Sequence, residues 1–128
     1  MVVGLGMDLI DVERVARMIE RDGQRVTSRL LTEGEWAYCS RMASVAEHVA
    51  GRLAAKEAAF KALSGSDDAR AIGWRELEVV HDDHRRPSLR LHGRAAARAE
   101  ALGITRTHLT ISHSRQSAGA VVILERDV

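Results

Sequence analysis

Ser44-Val45-Ala46-Glu47-His48-Val49-Ala50-Gly51-Arg52-Leu53-Ala54-Ala55-Lys56-Glu57-Ala58-Ala59-Phe60-Lys61-Ala62-Leu63 holds seven alanines, one glycine and no proline. Alanine loses little entropy on entering a helix, and nothing here breaks one. The stretch therefore predicts the longest helix of the chain, roughly 30 Å at 1.5 Å per residue. It ends in Ser64-Gly65-Ser66-Asp67-Asp68, a loop composition.

On the N-terminal side of this helix, Met1–Ile10 is apolar with Gly4 and Gly6, and reads as a buried strand ending near Asp8. Asp11 is placed to cap a first helix, whose apolar face is Val15, Met18 and Ile19 and which Gly23 closes. A short helix over Gln24–Leu30 follows. Thr32 with Glu35 forms a capping box for a further helix carrying Trp36, Tyr38 and Cys39. On the C-terminal side, Trp74–His81 and Ser88–His92 read as strands around an Asp82–Pro87 turn. Gly93–Leu102 reads as an alanine-rich helix, and Thr107–Ser112 and Ala118–Leu124 as the last two strands. Strands and helices do not alternate as βαβ units would. The expected class is α+β, a small antiparallel sheet packed with a long central helix and shorter helices, in one domain over residues 1–128.

Composition removes several classes of function. The net charge of +1 is far from the basic excess of a general nucleic-acid binder. No apolar run approaches the ~20 residues of a membrane span, and the first residues lack the basic region of a signal peptide. The single cysteine, Cys39, cannot form an intrachain disulfide, so a reducing cytoplasm is the expected compartment. The basic residues are 17 arginines and two lysines, Lys56 and Lys61, kept within one helical stretch. An ammonium and a guanidinium are not interchangeable, so that placement draws attention to the helix.

Three constellations could carry chemistry. Glu57 and Lys61, at i and i+4, share a helix face. One account is a surface ion pair worth a few tenths of a kcal/mol. Leu53 and Phe60 lie on nearly the same face, which favours a second account, a cleft. A carboxylate and an ammonium at a cleft suit a phosphate–metal site, because magnesium takes one or two carboxylates and shares substrate phosphates. Lys56 points away from Glu57 and is expected at the surface or against another part of a ligand. In Gly4-x-Gly6-x-Asp8, the glycines admit a close backbone or ligand, and Asp8 is either a cation ligand or a turn cap. In Ile111-Ser112-His113-Ser114, the residues are either phosphate donors or a polar hairpin turn. His81-Asp82-Asp83-His84 reads as a solvated turn, and Cys39 as core. Arg14, Arg17 and Arg21 form an exposed stripe at i, i+3, i+7, either a solvated face or a contact for an acidic partner. A non-catalytic module holding an acidic protein or RNA is the competing class; it leaves Asp8, Glu57 and Lys61 without a role.

The order Gly4-x-Gly6-x-Asp8, then Gly51-Arg52-x-Ala54-Ala55-Lys56-Glu57-Ala58-x-x-Lys61-Ala62, then Ser112-His113-Ser114, resembles the holo-acyl-carrier-protein synthases, the small 4′-phosphopantetheinyl transferases. Leu31-Thr32-x-x-Glu35, Tyr38-Cys39 and Arg86-Pro87 extend the likeness over nearly the whole chain. The resemblance implies the fold of that family and transfer of the 4′-phosphopantetheine arm of coenzyme A to a serine of an apo acyl carrier protein. Adenosine 3′,5′-bisphosphate would be released. It implies Asp8 and Glu57 as ligands of Mg²⁺, with Glu57 and Lys61 catalytic. It assigns Arg52, Lys61, Gly65, His113 and Ser114 to coenzyme A, and the helix bearing Arg14, Arg17 and Arg21 to the carrier. A homotrimer with sites between subunits is implied too. Whether the carrier serves fatty-acid or polyketide synthesis is left open. Two positions depart from the family pattern: Arg85 stands where a glycine usually precedes Arg-Pro, and Ser64-Gly65 where Gly-x-Gly is common.

Overall fold

The computed structural model describes residues 1–128. A first strand, β1 (Val2–Asp11), runs into three helices, α1 (Val12–Asp22), α2 (Gln24–Leu30) and α3 (Glu33–Ser40). The long helix α4 (Val45–Leu63) follows, then two 3-10 turns at Asp68–Ala71 and Trp74–Glu76. The hairpin β2 (Leu77–His81) and β3 (Pro87–Leu91), helix α5 (Gly93–Ala101), and strands β4 (Arg106–His113) and β5 (Ser117–Glu125) complete the α+β fold. The ends are set by the expected chemistry. Asp11 accepts from the Glu13 amide at the start of α1, and Gly23 closes it at φ 55°. Thr32 and Glu35 form the reciprocal capping box of α3.

The strands form two antiparallel sheets, one in the order β1-β5-β4 and the other the β2-β3 hairpin. Helix α4 lies between them and is buried nearly all round, as a helix so rich in alanine can be. One side packs Ala54, Ala58 and Ala62 with Leu77, Val79, Val122 and Leu124. Its first half packs Val49, Ala50 and Leu53 with Val12, Val15 and Leu31. The glycines of β1 fix the distance between strand and helix. A Cβ on Gly6 would overlap the carbonyl oxygen of Ala58, and one on Gly4 that of Ala62. The Gly-x-Gly spacing is thus a backbone-to-helix contact, and it sets Asp8 two residues further along the same strand.

Several expectations need correction. β1 is neither buried on both faces nor finished at Asp8. It runs to Asp11, and Leu5, Met7 and Leu9 on its outer face are 64%, 57% and 68% exposed. Its inner face alone meets α4. The segment Trp74–Glu76, expected as strand, is a 3-10 turn clipped by the Glu76 carboxylate onto the Gly73 amide. The largest departure is Lys56, expected at the surface: it is 0% exposed. Its Nζ donates to Glu35 Oε1 at 2.8 Å and to the carbonyls of Trp74 and Leu77, both at 2.9 Å. Glu35 in turn accepts from the amides of Thr32 and Val79. The helix wheel correctly separates Lys56 from Glu57, but the face it occupies is closed by α3 and the entry to β2.

Candidate active site

Asp8 comes from β1, and Glu57 and Lys61 from successive turns of α4. The close approach at Gly4 and Gly6 brings the two elements together. Lys61 Nζ donates to Asp8 Oδ1 at 3.0 Å and to the Met7 carbonyl at 2.8 Å. Asp8 and Glu57 line one cavity of about 710 Å³ with Arg14, Met18, Leu53 and Trp74. Burial first, and then the nearby Asp8 carboxylate, push the Glu57 carboxyl above its ordinary range, against the pull of the Lys61 ammonium. Two carboxylates that repel each other across one cavity, with an ammonium beside them, form a place where a cation is favoured. No third His, Cys, Asp or Glu joins them in a metal-sized group. The donor set is therefore two hard oxygens, which suits an ion that takes its remaining ligands from phosphate and water. Of the two readings of Asp8, the turn cap falls away, since Asp11 does the capping.

Arg52 and His113 lie in a second group. Arg52, on a different face of α4 from Glu57, is 4% exposed. Its guanidinium lies 4.4 Å over the Tyr38 ring and donates to His81 Nε2 at 2.9 Å. Tyr38 and His81 stack with ring centroids 4.4 Å apart. Burial, and then the Arg52 charge, hold the His81 pKa down, so the neutral ring can accept from the guanidinium. Arg52 Nε is buried with no partner. The His113 ring approaches His48 at 5.1 Å, and its Nδ1 is 3.8 Å from Glu47. Ser114 closes the β4-β5 turn, accepting from the amides of Gln116 and Ser117. Gly65, at φ 112°, belongs to the loop after α4 and lines a cavity of about 430 Å³ with Phe60, Ser64 and Arg70.

Tyr38, His48 and His81 have no role in a site in the sequence reading. His81, expected in a solvated turn, is the last residue of β2 and packs against Arg52. The turn proper is Asp82–Arg86, closed by the Asp82 carboxylate on the His84 and Arg86 amides. A signal existed in β2, since the run Leu77–His81 puts His81 on the side of Leu77 and Val79. Cys39 is wholly buried, and burial pushes its thiol up to about 11, the state of an inert core residue. Arg14, Arg17 and Arg21 are all exposed on α1. Arg17 pairs with Glu13 and Arg21 with Asp22, leaving Arg14 at the cavity.

Comparison with known proteins identifies the family. A family model described as the 4'-phosphopantetheinyl transferase superfamily matches residues 4–119. The chain is 42% identical over 125 residues to a holo-[acyl-carrier-protein] synthase of Koribacter versatilis, covering 98% of this chain and 99% of the relative. It is 48% identical over 126 residues to that of Alkalilimnicola ehrlichii, covering 98% of each. The fold superimposes on the holo-[acyl-carrier-protein] synthase of Neisseria meningitidis with a TM-score of 0.85 at 26% identity, covering 98% of this chain and 100% of the other. The Bacillus anthracis synthase, solved in complex with CoA (3',5'-ADP), superimposes with a TM-score of 0.78 at 33% identity, covering 99% of each chain. With matches of this length on both sequence and structure, the chain belongs to the 4'-phosphopantetheinyl transferase superfamily and, within it, to the holo-[acyl-carrier-protein] synthases.

Proposed function

We propose that this chain transfers the 4′-phosphopantetheine arm of coenzyme A to a serine of an apo acyl carrier protein, with Mg²⁺, and releases adenosine 3′,5′-bisphosphate. The observation that carries the reading is that Asp8 and Glu57 share one cavity while the Lys61 ammonium is bonded to Asp8. Asp8 and Glu57 would hold the magnesium ion, and their two hard oxygens fit it. Bound there, the ion would supply electrostatic stabilisation to the diphosphate as charge develops on it. The Lys61 ammonium neutralises a further phosphate oxygen. The serine oxygen attacks the phosphorus that carries the pantetheine arm, and the bond from that phosphorus to the bisphosphate leaving group breaks. Glu57, held partly out of water and with its carboxyl pushed up, receives the serine proton through a water molecule.

Arg52 supplies a second positive charge, with His113 in the same group, and Arg52 Nε retains a buried donor without a partner. That supports assigning them, with Gly65 and Ser114 in the flanking turns, to coenzyme A. Arg14, Arg17 and Arg21 are assigned to the acidic carrier, because α1 presents them at the mouth of the cavity and beyond it. The apolar outer face of β1, Leu5, Met7 and Leu9, supports assembly with further copies as a homotrimer. Met7→Asp with Leu9→Asp should then sediment as a monomer at concentrations where the parent chain is trimeric. No helix is long and apolar enough to cross a membrane, and we place the enzyme, a single domain over residues 1–128, in the cytoplasm.

Intact-mass spectrometry of an apo acyl carrier protein, incubated with coenzyme A, Mg²⁺ and this chain, tests the reading. The expected result is a gain of one phosphopantetheine, absent in Asp8→Ala and in EDTA. An unchanged carrier mass with every carrier tried would instead support a binding module.

A further inference from the structure

We infer that Lys61 is a shared cation: its ammonium holds Asp8 and the Met7 carbonyl, must yield Asp8 to a divalent ion, and then passes to the substrate diphosphate, so that metal and diphosphate bind with positive coupling. The inference deepens the proposed function and rests on the reading of Asp8 and Glu57 as metal ligands.

The geometry carries it. Lys61 Nζ has three protons to donate, and two are engaged, at 3.0 Å on Asp8 Oδ1 and 2.8 Å on the Met7 carbonyl. Those distances are those of full hydrogen bonds, and the pair is charge-assisted. The same Asp8 carboxylate shares a cavity with Glu57. A dication on these carboxylates therefore competes with an ammonium already bonded to one of them. Nothing packs Lys61 in place: its side chain is 54% exposed, and its four-carbon stem can swing at small cost. Released from Asp8, the ammonium needs an anion, and a diphosphate bridging to the metal provides one within its reach. The metal alone thus works against Lys61, whereas the metal with diphosphate has Lys61 on its side. Linkage requires the reciprocal effect, so the metal tightens diphosphate binding by the same factor. Lys56, only five residues earlier, takes no part, because all three of its donors are spent inside the core.

The test uses the full chain without carrier protein, so that no turnover occurs. Binding of Mn²⁺ is followed by the electron paramagnetic resonance of the free ion, with and without coenzyme A. Lys61→Met should bind Mn²⁺ alone about two- to fivefold more tightly than the parent, the range of an exposed ion pair. The enhancement that coenzyme A gives to Mn²⁺ binding should also be smaller in the variant than in the parent, since only the direct phosphate–metal contribution is left. The parent offers a second readout, because it has two lysines. With ¹³C at lysine Cε, Mg²⁺ should move the Lys61 resonance and leave that of Lys56 in place. Equal or weaker Mn²⁺ binding by Lys61→Met overturns the inference. So does an enhancement by coenzyme A that is undiminished in the variant, or a Lys61 resonance that stays still while the parent binds metal. If neither protein binds Mn²⁺, the metal reading of Asp8 and Glu57 falls, and the coupling falls with it.

Discussion

Replacing Lys56 by methionine keeps most of the side-chain volume and removes only the ammonium. In the parent, that ammonium has no exposed surface and bonds one carboxylate and two carbonyls. Burial pulls the Lys56 pKa below its ordinary 10.5 even though Glu35 pulls it up. The folded chain therefore binds this proton less readily than the unfolded chain, and this group's contribution to stability rises with pH up to about 10.5. Desolvation outweighs attraction, yet removing one partner is worse than keeping both. Lys56→Met leaves the Glu35 carboxylate buried without a counter-charge, a loss of about 3–5 kcal/mol. Against a whole stability of about 5–15 kcal/mol, that is a large part of the total. Urea unfolding, followed through Trp36 and Trp74, should show the midpoint falling with little change in slope. Adding Glu35→Gln removes the stranded charge while the amide oxygen can still accept from Thr32. The double variant should therefore recover part of the loss, the remainder being the Val79 amide and the Trp74 and Leu77 carbonyls left without their partners. A cost below about 1 kcal/mol for Lys56→Met, or no recovery in the double variant, would refute the view that charge pairing organises this part of the core.

Gly6→Ala forces a methyl group onto the Ala58 carbonyl, so β1 must move off α4; a loss of about 1–3 kcal/mol by thermal unfolding is expected, with weaker Mg²⁺ activation because Asp8 moves too. The folded-state pKa of His81 is lowered, so the folded chain resists a proton that the unfolded chain takes up, and stability should fall as pH drops below about 6.5. His81→Phe keeps the stack on Tyr38 and should flatten that decline when melting temperature is measured from pH 7.5 to 5. Arg14→Glu with Arg17→Glu should raise KM for the carrier several-fold and leave that for coenzyme A nearly unchanged, since opposite charge mainly governs encounter.

Much of this architecture could be read from the chain because its signals are local. The capping box at Thr32 and Glu35, the cap at Asp11 and the alanine-rich run to Leu63 each specify backbone structure from neighbours in sequence. Glu57 and Lys61 were legible for the same reason, being one helical turn apart. What a wheel does not show is which element closes each face. Lys56 looked like surface because a charged side chain usually is. Its burial depends on Glu35, 21 residues away, and on a carbonyl at Leu77, also 21 away. The Arg52 group escaped notice likewise, since Tyr38, His48 and His81 come from three separate elements. The outer face of β1 misled in the opposite sense: an apolar run says that a strand is to be covered, but not whether its own chain does the covering.

The two lysines differ in a way that matters for anyone who handles this protein chemically. One is sealed in the core, and the other stands 54% exposed beside Asp8. Every other basic side chain that could decorate the surface is arginine or histidine, neither of which forms a stable amide with an activated ester. Apart from the α-amino group of Met1, an amine-reactive dye, biotin or coupling resin therefore has one side-chain target, Lys61. Routine labelling or immobilisation through amines would fall beside Asp8, at the proposed active site, and the extent of acylation would read out directly whether coenzyme A protects it.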